Sequence, residues 1–255
     1  MEGATRTWQW CWILFILLLG IQQLNGQSDA FIYGLCNVNK YSNGTDYEND
    51  VNVVLNYLVS AAAPIGGFIT YSYGGVNGLL QCRGDVSEQA CQNCSVAALQ
   101  LAYQDCPNAI GARIQLDFCF IRYENYTFAS ALDTTVSQAL VNVNNNNDIQ
   151  GFNETLGNLL EALAITASFE GKGFAVRSSV VINNPSNVTI YALEMCFPSL
   201  AASDCFVCLK KAVAALNPCC SSQVGGRVYM GSCTVGFEIY PFYTQPYVSF
   251  QKLAE

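Results

Sequence analysis

The chain is 255 residues long, carries a formal charge of −8 from 19 acidic and 11 basic side chains, and contains no histidine. Eleven scattered cations form no basic stripe that could displace counterions, which argues against nucleic acid as a partner. The missing histidine removes Ser-His-Asp and Cys-His catalysis, and no spacing pairs the carboxylates for glycoside hydrolysis, so the inventory points away from an enzyme.

In chain order, residues 10–21 form an apolar run too short to span a bilayer and of the length of a secretory core. Residues 1–26 are therefore expected to be a signal peptide, cut between Gly26 and Ala30. Cys11 lies inside it, which leaves twelve of the thirteen cysteines. An even count in an exported chain reads as disulfides. No later stretch is long and apolar enough for a membrane helix and the segment Gln251–Glu255 is no hydrophobic tail, so a released product without a membrane span is expected. Asn43, Asn125, Asn153 and Asn187 head glycosylation sequons; Asn93 heads a fifth but has Cys94 inside the tripeptide.

Residues 30–36 then read as a strand. Residues 50–63 set Val51, Val54, Leu55, Leu58 and Ala62 on one face of a helix that Pro64 ends. Residues 67–73 and 76–82 are β-rich runs parted by Gly74-Gly75, a hairpin signal. Ser87 can cap a second helix running to about Tyr103, and residues 111–124 alternate as one or two closing strands. The order repeats: residues 140–144 echo residues 35–39, a helix is expected near 154–166, strands at 173–181 and 188–196, a helix capped by Ser203, and a closing segment at 225–240.

Cysteine spacing gives the repeat its register. Cys82, Cys91, Cys94, Cys106 and Cys119 are matched gap for gap by Cys196, Cys205, Cys208, Cys220 and Cys233. Agreement over so many positions means one folding unit duplicated in tandem, residues 27–131 and 134–245. The short linker near 131–134 predicts units that pack together. The fold class is α+β, two tandem domains, each an antiparallel sheet with two helices on one face, stapled by disulfides.

The Cys-x2-Cys pairs suggest zinc, but zinc needs thiolates, and an oxidising compartment argues against them. A thioredoxin-like pair does not sit among four other cysteines. Structural disulfides are preferred, with no metal and no cofactor. Arg83-Gly84-Asp85 spells an integrin-type tripeptide, which at three residues carries no weight. One polar trio remains. Asn37 follows Cys36, Arg113 lies seven after Cys106 and Glu124 five after Cys119; Asn142, Arg227 and Glu238 hold the same places counted from Val141, Cys220 and Cys233. If Cys36 bridges to Cys106, Asn37 is tethered beside the strand bearing Arg113. An amide, a guanidinium and a carboxylate suit sugar hydroxyls; the rival reading is a cross-strand Arg–Glu ion pair beside an Asn-capped turn.

The repeated Cys-x8-Cys-x2-Cys core and the Gly-Gly-Arg-Val…Ser-Cys…Glu-Ile-Tyr-Pro-Phe-Tyr run at 225–243 resemble plant cysteine-rich repeat secretory proteins, built from ginkbilobin-like, salt-stress/antifungal domains. The resemblance covers residues 27–245. The same tandem forms the outer part of cysteine-rich receptor-like kinases and plasmodesmata-located proteins. It implies the bridges Cys36–Cys106, Cys82–Cys91 and Cys94–Cys119 in the first domain, and Cys196–Cys205 and Cys208–Cys233 in the second. Val141 replaces the partner of Cys220, which leaves Cys219–Cys220 as a vicinal bridge, free thiols or interchain thiols. Ginkbilobin binds mannose and is antifungal, and its sugar-contacting residues fall at Asn37, Arg113 and Glu124. The Asn142, Arg227 and Glu238 site ranks below it, lacking the bridge beside Asn142. The resemblance thus implies a secreted, non-enzymatic protein of the apoplast that binds mannose-type glycans in defence. The alternative is a module docking on a receptor ectodomain or a like chain through residues 237–247; a third reading is a redox sensor using Cys219 and Cys220.

Overall fold

The computed structural model describes residues 29–147, 149–183 and 186–244; the expected signal peptide, Cys11 and the end of the 237–247 run lie outside the described residues. The first unit orders as β1 (Phe31–Cys36), α1 (Asp46–Ala61), β2 (Phe68–Tyr73), β3 (Val76–Cys82), α2 (Glu88–Asp105), β4 (Ala112–Leu116) and β5 (Cys119–Glu124). The second orders as β6 (Val136–Val141), α3 (Phe152–Phe169), β7 (Phe174–Val181), β8 (Val188–Cys196), α4 (Ala202–Cys220), β9 (Gly226–Met230) and β10 (Cys233–Glu238). Each sheet is antiparallel, with spatial orders β1-β4-β5-β3-β2 and β6-β9-β10-β8-β7.

Local chemistry sets the helix starts in the first unit. Thr45 Oγ1 accepts from the Glu48 amide at 3.4 Å, and Glu48 Oε2 accepts from the Gly44 amide at 2.6 Å. This capping box starts α1 at Asp46, a turn before the expected residue 50. Ser87 caps α2 by accepting from the Ala90 amide at 3.2 Å. The second unit is built differently. Ser203 is not the cap of α4: the N-cap is Ala201, which has no side-chain acceptor, and Ser203 sits inside the first turn. Helix α3 likewise starts behind Gly151, without a side-chain cap.

Alternation along the strands sends one face of each sheet to its helices and the other toward the opposite unit. In the first unit Leu80, Ile114 and Ile121 pack under Val54, Leu55, Leu58 and Ala98. Leu79, Phe120 and Tyr33 face away and join the second unit's cluster. Across the junction Phe120 stacks on Phe197 with centroids 5.7 Å apart, and Tyr33 meets Tyr229 edge-on at 6.2 Å. Gln81 Nε2, buried between the units, donates to the Cys196 carbonyl at 3.0 Å.

The bridges are Cys36–Cys106, Cys82–Cys91, Cys94–Cys119, Cys196–Cys205 and Cys208–Cys233, with Cα separations between 5.3 and 6.0 Å, and Cys219–Cys220 at 3.8 Å. Each Cys-x8-Cys bridge ties the end of a strand (β3 or β8) to the start of the following helix. The Cys-x2-Cys partner ties that helix to β5 or β10. Helices α2 and α4 are thereby fixed to their sheets at their N-terminal ends.

Candidate functional site

The first trio comes together at the open end of the first sheet. Strand β1 pairs with β4 so that Leu35 faces Arg113 and Cys36 faces Ala112. The Cys36–Cys106 bridge anchors this end of β1 to the end of α2. The chain then turns: the Asn37 amide donates to the Gly111 carbonyl at 2.8 Å, and Asn37 Oδ1 accepts from the Asn39 amide at 3.0 Å. That Asx turn fixes the side chain and commits its oxygen, while its Nδ2 has no partner among the described residues. Glu124 ends β5. Gly111 is glycine for room, because a Cβ there would collide with Glu124 Oε2. A cavity of about 300 Å³ is lined by Leu35, Cys36, Asn37, Gly111, Arg113, Glu124 and Tyr126.

The electrostatics involve more residues than the trio. Arg113 and Arg122 are direct cross-strand partners, a like-charge juxtaposition that costs free energy unless neutralised. Two carboxylates do that. Glu124 Oε1 lies 3.0 Å from Arg122 Nε and 3.7 Å from Arg113 Nε. Asp133 Oδ2 lies 3.1 Å from Arg113 Nη1 and 3.6 Å from Arg122 Nη1. Burial alone would raise the Asp133 carboxyl, but bonds from the Thr135 backbone and hydroxyl, then the two guanidinium groups, outweigh it and hold the group below its ordinary value. Arg122 Nη2 donates to the Tyr126 hydroxyl at 3.0 Å, and the guanidinium lies 4.1 Å over the Phe128 ring. Tyr126 is 48% exposed, so its ring is held at one end and open at the mouth of the cavity.

The second trio is not assembled in the same way. Asn142 forms the same Asx turn, its Oδ1 accepting from the Asn144 amide at 3.0 Å, but its Nδ2 donates to Glu238 Oε2 at 2.8 Å. Amide and carboxylate satisfy each other. Arg227 crosses to the first unit, where Nη1 donates to Asp117 Oδ1 at 2.5 Å and the guanidinium covers the Phe242 ring at 4.7 Å. Asp117 also takes Arg83 Nη1 at 3.2 Å.

Arg83-Gly84-Asp85 belongs to this junction. Arg83 binds Asp85 through Nε at 2.7 Å and Nη2 at 3.0 Å, and Nη2 also reaches the Phe242 carbonyl at 3.2 Å. Its side chains are 5% and 0% exposed, so the tripeptide is an interdomain clasp and not a recognition loop. The one cluster with metal-ligand character among the described residues, Asp29 with Cys94 and Cys119, has both sulfurs spent in a bridge.

Reading the trio by its distance from cysteines missed Arg122, Tyr126 and Asp133. The first two stand two residues before and after Glu124, and strand alternation puts neighbours at that spacing on one face. Asp133 lies in the linker, and no spacing announces it. The four sequon asparagines Asn43, Asn125, Asn153 and Asn187 are all exposed.

A family model described as salt stress response/antifungal matches residues 35–126 and again 139–240. The chain is 33% identical over 226 residues to cysteine-rich receptor-like protein kinase 25 of Arabidopsis thaliana, covering 85% of this chain and 33% of that protein. It spans about a third of such kinase relatives. It is 33% identical to the antimicrobial ginkbilobin-2-like protein of Castanea crenata, over 83% of this chain and 88% of the relative. To cysteine-rich repeat secretory protein 38 of Arabidopsis thaliana it is 32% identical, over 89% and 94%. Among solved structures, the tandem DUF26 ectodomain of the Arabidopsis thaliana cysteine-rich receptor-like protein PDLP8 superposes with a TM-score of 0.71 at 26% identity, covering 86% of this chain and all of that one.

Proposed function

The chain belongs to the salt stress response/antifungal family, with two copies of the domain in tandem, and on that premise we propose that it binds mannose-type glycans in the cavity of its first domain. Its relatives are secreted or ectodomain proteins, and no helix among the described residues is long and apolar enough to cross a membrane. The working place is outside the cell, in the apoplast, and the role is non-enzymatic recognition in defence, antifungal activity included. Glycans on Asn43, Asn125, Asn153 and Asn187 belong to the same proposal.

The observation that supports it is the contrast between the two trios. In the first domain Asn37 Nδ2 and Glu124 Oε2 make no hydrogen bond among the described residues, whereas the equivalent atoms in the second domain bind each other. A sugar presenting neighbouring hydroxyls could take one hydrogen bond from the amide and give one to the carboxylate. Arg113 would donate to a third oxygen, and the half-exposed Tyr126 ring would lie against the apolar face of the pyranose. Arg113 is a poor mutational probe, because it also balances Asp133 and Glu124. Asn37 is a clean one, since its side chain holds only a local turn. Asn37→Ala should weaken mannan or mannobiose binding about tenfold, the scale of one or two neutral hydrogen bonds, while the melting temperature stays near that of the parent. If the folded parent is silent on a glycan array containing mannans and fungal-wall polymers, the proposal fails.

A different observation favours protein docking as a second reading. Val38 and Val143 stand 90% and 93% exposed at the tips of matching Asn-Val-Asn turns. The 237–247 run offers less surface, since Phe237, Phe242 and Tyr243 are buried and Tyr240 is half-exposed. A receptor ectodomain or a like chain captured in excess free mannose, and lost on Val38→Asp, would support docking.

A further inference from the structure

We propose that Cys219–Cys220 is a redox site, a dithiol/disulfide pair that exchanges electrons with thiols outside the cell while the other five bridges hold the fold. The site is independent of the glycan reading.

Its position in the repeat sets it apart. The equivalent cysteine of the first unit, Cys106, bridges to Cys36 across 70 residues. In the second unit Val141 stands where that partner would be, and Cys220 bonds its own neighbour, at a sequence separation of one. A bridge stabilises a fold chiefly by closing a loop in the unfolded chain. By linkage, the fold protects the bridge to the same extent. The five bridges that span 9, 25 or 70 residues are protected in this way. A bridge between neighbours closes no loop and gains no protection. Adjacent residues also cannot reach ordinary bridge geometry, because the peptide holds their α-carbons at 3.8 Å, below the usual range of about 4.4–6.8 Å. Bridges so constrained, or exposed, are the labile ones.

Access and surroundings agree. Cys219 is half-buried at the end of α4, after the exposed Pro218, whereas both cysteines of the four shorter-loop bridges are buried; Cys36 is exposed too, so there the 70-residue loop alone supplies the protection. Each sulfur already faces a carbonyl that a thiol can donate to: Leu216 at 3.4 Å from Cys219 Sγ, and Leu140 at 3.8 Å from Cys220 Sγ. The dithiol state is therefore accommodated without new polar partners.

The chemistry is thiol–disulfide exchange with a low-molecular-weight thiol. The thiolate attacks Cys219 Sγ and forms a mixed disulfide; the Cys219–Cys220 bond breaks, and its electron pair leaves on Cys220 Sγ, which takes up a proton. A second thiolate then attacks the sulfur of the first, releasing Cys219 as a thiolate that is protonated in turn. Two external thiols become one disulfide, and the protein gains two electrons and two protons.

The test equilibrates the full folded chain in glutathione buffers of increasing reducing strength, quenches with iodoacetamide and maps the alkylated cysteines by peptide mass. Cys219 and Cys220 should label at a reduced-to-oxidised ratio about tenfold below that needed for any other cysteine, with near-ultraviolet circular dichroism unchanged and the bridge restored on reoxidation. First labelling at Cys36 or Cys106, simultaneous labelling of all bridges with loss of the fold, or labelling of the pair before any thiol is added would each overturn the proposal. The double variant Cys219→Ser/Cys220→Ser should melt with the parent and lose the early-labelling pair. A large drop in its melting temperature would make the bridge a staple and would also overturn it.

Discussion

Asn37 and Asn142 share a backbone bond and an Asx turn, yet one amide is open and the other is taken. In the first unit Arg122 holds Glu124 at 3.0 Å, whereas Gly236 stands at the equivalent place on β10 and Arg227 is drawn to Asp117, which leaves Asn142 and Glu238 to each other. Single side chains elsewhere carry similar weight. Glu194 is fully buried on β8 with neither oxygen bonded, at the place held in β3 by Leu80, two residues before the strand's last cysteine. Burial first, then the neighbouring Glu161 on α3, lift its carboxyl well above the ordinary value, against a partial offset from Lys210 on α4. The folded protein therefore keeps this proton after the unfolded chain has lost it. The sign follows: stability is greatest below the unfolded value of about 4.3 and falls as pH rises from there toward the folded value. Glu194→Leu should stabilise by about 2 kcal/mol at pH 7, the scale of removing an unsatisfied buried group, and by less at pH 4. Equal gains in thermal melts at both pH values would show that the carboxyl titrates in the folded protein where it does in the unfolded chain, and that burial does not raise it. Asn37, Arg113 and Glu124 were legible from their offsets to cysteines, because bridges fix where strands end. Asp133 was not, because the linker reaches the site only through the packing of two domains.

At the scale of elements, the two units differ in how their helices begin. Thr45 and Ser87 cap α1 and α2, whereas Ala201 and Gly151 leave the first amides of α4 and α3 without a side-chain acceptor. Ser87→Ala should cost about 1 kcal/mol. Ala201→Ser should gain a similar amount, since Ala201 already has the extended backbone of an N-cap, φ −61° and ψ 146°. Denaturant midpoints with unchanged slopes would measure both, and a neutral Ala201→Ser would mean that water serves those amides as well as a hydroxyl does. Helix and strand positions were readable from apolar periodicity and the cysteine register. Exact starts were less so: the Thr45–Glu48 box is a sequence signal, but Ser203 mimics a cap while lying a residue into the turn. The strand order β1-β4-β5-β3-β2 was not readable, because the insertion of β4 and β5 between β1 and β3 is settled by long-range pairing.

For the whole molecule, the junction is as specific as either core. Arg83, Asp117 and Arg227 form one ion cluster with Asp85, capped by the Phe242 carbonyl and ring, and the Thr244 amide donates to Asp85 at 2.8 Å. Asp117→Ala leaves two guanidinium groups facing each other with little solvent access. It should cost about 2–3 kcal/mol and split a single calorimetric transition into two as the units uncouple. One unbroken transition at the parent temperature would show that the aromatic contacts suffice. The cysteine register points to two units and the short linker to their packing, but neither announces the clasp, because a three-residue motif carries no address until its partners from the other unit are known.

The linker carboxylate ties the cavity to the tandem. Arg227 reaches into the first copy for Asp117, while Arg113 takes its acid from Asp133, which stands against Gly231 at the turn equivalent to Asp117. The arginine at this repeat position is thus put to two uses, one fastening the copies and one poised over an open cavity. A fragment ending at residue 131 would keep Asn37, Arg113 and Glu124 but lose the acid that balances its paired guanidinium groups. The two facing guanidinium groups at the cavity are therefore fully balanced only in the tandem, because one of their two acids lies beyond the end of the first repeat.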